Sequence, residues 1–210
     1  MSSRAVGRPK QAPDSISSVR QQLVAVATKL FAERDYGKVS TREIATLAGS
    51  NISMIRYYFG NKAGLFEACI AEFYQPLLAQ MELLISDPQA DIEQMILCYY
   101  EMLLERPNWP HMLSTCMQLD SGTEQREVVE RVMARPHHLM QQMLLRQGML
   151  QPGREHRFAG PTLVSMILFP FMMPAAFRQR AGITLDRPTL TELAAHHAQV
   201  LRYGLLAEKQ

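Results

Sequence analysis

Apolar side chains recur at intervals of three and four through almost the whole chain, the period of helices with one buried face. In the first such stretch Val19, Leu23, Val26, Ala27, Leu30 and Phe31 share a side. Ser18, with Gln21 three residues on, has the form of a capping box and predicts the helix start. Tyr36-Gly37 predicts its end, because glycine accepts a left-handed cap. Ser40 with Glu43 repeats the capping pattern and opens a short helix through Ile44, Ala45 and Ala48. Gly49 breaks it, and a third helix is expected from about Asn51 to Phe59, with Ile52, Ile55 and Phe59 on one side. Ile44, Ala45, Leu47, Ile55 and Phe59 are read as core. Three helices with a glycine turn between the last two form a helix-turn-helix pattern.

Beyond Gly64 the same period predicts helices over residues 65–85, 92–104, 109–119, 124–150, 163–177 and 189–206. Asp87-Pro88, Arg106-Pro107, Asp120-Ser121-Gly122, Pro152-Gly153 and the span from Gly182 to Pro188 separate them, and Pro136 is expected to kink or divide the fourth. No run alternates as a strand does. The fold class is therefore all-α. A flexible basic arm is assigned to residues 1–15, a three-helix helix-turn-helix domain to 16–64, and a larger C-terminal helical domain to 65–210.

Charge sharpens this division. The net +2 conceals ten Lys/Arg against four Asp/Glu in residues 1–62, and twelve against sixteen in the remainder. A basic end on a mildly acidic body points to a polyanionic partner. In the arm, Gly7-Arg8-Pro9-Lys10 sets Arg8 and Lys10 on a stiffened backbone suited to a minor groove, although an ordinary solvated tail has the same composition. Cys69, Cys98 and Cys116 stand far apart without metal or disulfide spacing, which suits a reducing compartment. The opening residues lack the apolar run of a secretory signal. The apolar segment 163–177 is short for a membrane span and carries Pro170 and Pro174. A soluble, cytoplasmic protein with no membrane partner is expected.

Ser40-Thr41-Arg42-Glu43-Ile44-Ala45, Ala48-Gly49, Ile55-Arg56-Tyr57-Tyr58-Phe59, Asn61-Lys62 and Leu65, with Leu30-Phe31 and Tyr36-Gly37 before them, resemble the TetR family of transcription regulators. The specific resemblance covers about residues 17–70. It implies a homodimer on double-stranded operator DNA, with a small-molecule effector in the larger domain. It assigns Ser53, Met54 and Tyr57 to the groove-facing surface, Arg42 to a base from the preceding helix, and Thr41, Tyr58 and Lys62 to phosphate. Arg56 stands where the family commonly has tyrosine, and either a phosphate or a guanine suits it. Ser50 departs from the usual valine. The resemblance further implies a palindromic operator and release on ligand binding, with activation as the opposite sign. A protein of the same fold that binds ligand or partner without operator recognition is the alternative class.

The implied dimer helices are residues 162–178 and 189–206. On them Leu163, Ile167, Pro170, Phe171, Pro174, Ala194, Ala198 and Leu201 are the candidate interface residues, intramolecular core being the competing role. Tyr99, Met102, Trp109, Met112, Met117 and Met140 are the candidate effector contacts, because methionine lines adaptable apolar sites. The chain holds 14 methionines, which suggests an apolar or amphipathic ligand, although methionine at helical spacing also builds ordinary core. His137-His138 and His196-His197 are adjacent pairs whose side chains diverge by about 100° on a helix, so neither is expected to chelate. No catalytic constellation, metal site or cofactor motif is found, and an enzyme is not expected.

Overall fold

The computed structural model describes residues 13–146 and 156–203 of the chain. Among them the fold is all-α, as the periodicity predicts. The helices are α1 (Pro13–Glu33), α2 (Thr41–Leu47), α3 (Ile52–Phe59), α4 (Lys62–Ser86), α5 (Ile92–Glu105), α6 (Trp109–Met117), α7 (Glu124–Arg146), α8 (Ala159–Met172), α9 (Ala175–Arg180) and α10 (Arg187–Tyr203). The chain divides into two compact units, Met1–Cys69 and Ile70–Gln210, the boundary falling within α4.

In the first unit α1 starts at Pro13, five residues before the expected cap, so Ser18 and Gln21 lie inside the helix. Proline suits a first turn, since its missing N–H is one that would go unbonded there. The core is Leu23, Ala27, Phe31, Ile44, Ile55, Leu65 and Phe66. Phe31 and Phe66 meet edge to face at 4.9 Å, and Cys69 Sγ donates to the Val24 carbonyl at 3.7 Å. Leu47, read above as core, is instead 60 % exposed. It is the last residue of a two-turn helix that buries only Ile44 and Ala45.

The second unit is built around α5 and α10, which run antiparallel and are laced at both ends. Arg187 at the start of α10 pairs with Glu101, and Arg202 at its end reaches Asp91 at 2.7 Å. Leu190, Ala194 and Ala198, four residues apart, turn one stripe of α10 inward. Asp91 and Gln94 form a complete capping box at the start of α5, a signal not read from the sequence. Arg146 donates to the carbonyls of Leu84 and Asp87, placing a cation on the negative end of α4.

Prolines act unevenly on these helices. Pro76 and Pro136 stand inside α4 and α7 without dividing either. Pro136 is buried, so its ring contributes packing that offsets the lost backbone bond. The expected single helix over 163–177 is split. Met173 takes an extended conformation (φ −63°, ψ 131°) before Pro174, and α9 starts afterwards. The proline ring disfavours helical backbone in the residue before it, which accounts for the break.

Candidate nucleic-acid interface and ligand cavity

The turn between α2 and α3 is fixed almost entirely by backbone bonds. Gly49 adopts φ 60°, its N–H bonds to the Thr46 carbonyl at 3.1 Å, and the Ser50 N–H bonds to the Ala45 carbonyl at 2.8 Å. This is the Schellman pattern, and it explains how the departure at Ser50 is accommodated, because the contribution of that residue is its N–H. Asn51 then caps α3, its side-chain oxygen accepting from the Ser53 N–H at 3.0 Å. At 100° per residue, Ser53 and Tyr57 fall about 160° from Ile55 and Arg56 about 100° from it. Ile55 is buried, and the other three are exposed, Tyr57 at 74 %.

Met54 and Tyr58 are half-buried, and the Tyr57 and Tyr58 rings meet edge to face at 5.0 Å. Phe59 is half-buried, with the Arg20 guanidinium 5.4 Å from its ring centre. On α2, Ser40 accepts from the Glu43 N–H at 3.1 Å, but the Glu43 carboxylate pairs with Arg34 at 2.7 Å. Half of the expected capping box is therefore replaced by an ion pair. Thr41 is half-buried and Arg42 is exposed. Neither Arg42 nor Arg56 has a carboxylate partner among the described residues. Lys62 differs from expectation. Its ammonium bonds the Tyr36 carbonyl and lies 4.0 Å from the Tyr36 ring centre, so it braces the turn after α1. Arg8 and Lys10 lie outside the described residues.

In the second unit a cavity of about 400 Å³ opens between α4, α5, α7 and α8, with the end of α6 at its edge. Of the candidate effector contacts, Tyr99, Met117 and Met140 line it. Met102, Trp109 and Met112 do not: Met102 and Trp109 are packed in the core, Trp109 stacked on Phe73 at 4.5 Å. The residues missed are Tyr74 on α4, Glu130, Met133, Ala134 and His137 on α7, and Val164, Ile167 and Leu168 on α8. The α7 set recurs at three and four, so the stripe was visible, but periodicity does not say whether a stripe meets core or empty space. Glu130 pairs with Arg126 at 2.7 Å, and His137 lies 3.0 Å from the Gln141 side-chain amide.

The candidate interface residues mostly serve the protomer itself. Leu163, Ile167, Pro170, Phe171, Ala194 and Ala198 are buried, so they lack surface to offer a partner. Pro174 is exposed and Leu201 half-buried. The apolar surface of this region lies elsewhere on the same helices: Phe169 is 58 % exposed and Phe177 61 %, beside Met172. A shallow groove along α8 and α10 runs past Phe169, Met172, Leu193 and His197. A helix apolar all round, as α8 is, carries no polar face to reveal its rotation.

Burial shapes the ionisable groups of this unit. His197 Nδ1 lies 2.9 Å from the Tyr100 hydroxyl, and burial, helped by neighbouring His196, lowers its pKa to about 4. The Cys98 and Cys116 thiols are pushed up by burial, Cys98 also by Glu101, the opposite of the activation a thiol sensor needs. Among the described residues no group of three His, Cys, Asp or Glu is placed to hold a metal, and no helix is long and apolar enough to cross a membrane.

Residues 23–69 match the family model of bacterial regulatory proteins, tetR family. The chain is 26 % identical over 167 residues to the probable HTH-type transcriptional regulator YttP of Bacillus subtilis, covering 75 % of this chain and 79 % of that one. It is 42 % identical over 80 residues to the HTH-type transcriptional dual regulator CecR of Shigella flexneri, 34 % of this chain and 35 % of that one. In fold it resembles FadR from Bacillus subtilis, solved with stearoyl-CoA, at a TM-score of 0.67 and 18 % identity over 89 % of this chain and 99 % of that one. NalD of Pseudomonas aeruginosa gives 0.64 at 24 % identity over 93 % and 100 %. The helix-turn-helix face and these likenesses agree: residues 23–69 form a helix-turn-helix of the tetR family of bacterial regulatory proteins, and the helical fold of the whole chain is that of the solved regulators it resembles.

Proposed function

We propose that the chain is a homodimeric repressor that occupies a palindromic operator and leaves it when a small apolar or amphipathic molecule enters the cavity of the second unit. The observation that carries this reading is the outer face of α3, where Ser53, Arg56 and Tyr57 stand exposed beside a buried Ile55. Hydroxyls and an unpaired guanidinium on one helical face are the groups that read base edges and grip phosphate. Arg42, exposed and unpaired on α2, adds a second cation, and Thr41, Met54 and Tyr58 complete the surface. Lys62 takes a bracing role, which leaves Arg42 and Arg56 as the chief cations of the described face.

Exposed Phe169, Met172 and Phe177 support dimerisation through α8, α9 and α10. Two copies set recognition helices about one DNA turn apart, on the order of 34–36 Å, or a multiple of it. The effector acts by binding more tightly to the arrangement that does not fit the operator, since equal affinity for both shifts nothing.

The test is a titration of purified protein against fragments flanking its own gene, with scrambled competitor, at two salt concentrations. Arg42→Ala and Tyr57→Ala are each expected to weaken specific binding roughly tenfold or more without changing the melting temperature. Phe169→Asp is expected to shift the sedimenting species towards monomer and weaken operator binding with it. Salt-insensitive binding that treats every fragment and every random sequence alike would overturn operator recognition and favour a ligand-binding protein of the same fold.

A further inference from the structure

The polarity of the cavity wall narrows the class of effector, an inference that rests on the effector reading above. Tyr74 and Tyr99 both border the cavity, on α4 and α5, and both are buried. Neither hydroxyl has a hydrogen-bond partner within the described residues, and burial keeps both phenols protonated, Tyr74 the more so for its proximity to Tyr99. Among the described residues Trp109 Nε1 is the side-chain polar atom sealed from solvent without a partner. The two unbonded hydroxyls are therefore not sealed: they open on free space, and the space their rings border is the cavity.

Deeper in, the rest of the wall holds nothing to receive a charge, since its ionisable side chains, Glu130 and His137, both stand on the exposed rim. No lysine or arginine lines it. Its carboxylate, Glu130, is on the exposed rim and already paired with Arg126. An anionic head would be buried without a cation and beside that carboxylate; a cationic one would meet at depth only neutral phenols. We propose that the cavity takes a neutral apolar molecule bearing one hydrogen-bonding oxygen, which the hydroxyls of Tyr74 and Tyr99 receive. Met117, Met133 and Met140 then adapt around its hydrocarbon part. A cavity of about 400 Å³ is of ordinary size for a small ligand site.

Four probes of one shape separate the possibilities by calorimetric titration of the full chain: naphthalene, 2-naphthol, 2-naphthoate and 2-naphthylmethylammonium. The neutral 2-naphthol is expected to bind tightest, about tenfold over naphthalene, the scale of one well-made hydrogen bond. Tyr74→Phe and Tyr99→Phe should reduce that advantage while leaving naphthalene affinity and the melting temperature of the free protein unchanged, because no bond within the protein is lost. A lower melting temperature in both variants would assign the hydroxyls to structure and overturn the proposal. So would tighter binding of the carboxylate or the ammonium, or phenylalanine variants that bind 2-naphthol as the parent does; in these cases the cavity survives as a ligand site and only its polarity is wrong. If no probe binds, or if Ala134→Trp at the exposed rim leaves binding intact, the cavity reading itself fails.

Discussion

Single residues in the first unit are held by contacts that a sequence motif does not display. Gly64 is the clearest. A β-carbon built there would stand 2.0 Å from the Phe59 carbonyl oxygen, a backbone atom that cannot swing aside. Gly64→Ala is expected to destabilise by roughly 1–3 kcal/mol, read as a lower denaturant midpoint with unchanged slope. Lys62 teaches the complementary point. Its place in the motif marks it as a cation, but only the structure reveals Tyr36 as its partner, 26 positions earlier in the chain. Ser53, Arg56 and Tyr57 were legible as an outward face because Ile55 and Phe59 mark the inward one. Leu47 was misread because hydrophobicity alone does not tell a core leucine from one at a helix end.

At the level of elements, caps and breaks decide where helices begin and stop, and their energies are local enough to measure. Ser40 accepts from the Glu43 N–H, whereas the Glu43 side chain is spent on Arg34. Ser40→Ala should therefore cost about 1 kcal/mol. Glu43→Gln should cost a few tenths at most, since that pair is solvent-accessible. Equal losses in chemical denaturation would mean that the reciprocal box forms after all. The extents of most helices were readable from period and breakers. What escaped was tertiary: α1 begins at Pro13 ahead of a plausible cap, Pro136 is absorbed by packing, and Pro174 divides a run that looked continuous. The rotation of α8 escaped too, which is why Leu163 and Ile167 were assigned to a surface and Phe169 was not.

At the scale of the whole molecule, the group among the described residues that is displaced within the mildly acidic range is His197, whose pKa falls to about 4 from an ordinary 6.5. Between those values the unfolded chain binds the proton and the folded chain does not. Stability contributed by neutral His197 is thus present above about pH 6.5 and is lost as pH falls towards 4. His197→Gln is expected to flatten the pH dependence of the melting temperature over that window. Retention of the parent slope in the variant would assign the dependence to other groups. Asp35 and Asp186, whose carboxyls are held below their ordinary 3.8 by Lys38 and by Thr184 with Thr189, act only at lower pH.

The indole of Trp109 is the only one in the chain, and it is fully enclosed, stacked on Phe73, with Nε1 unbonded. An indole so shielded from water emits towards the blue, and its ultraviolet-excited light originates in the second unit alone. Helical ellipticity, by contrast, sums over both units. The protein thus carries two optical signals of different reach without any label. Coincident loss of colour and ellipticity in urea would mean that both units melt in one cooperative step; separated curves would reveal a population in which one unit has come apart while the other endures.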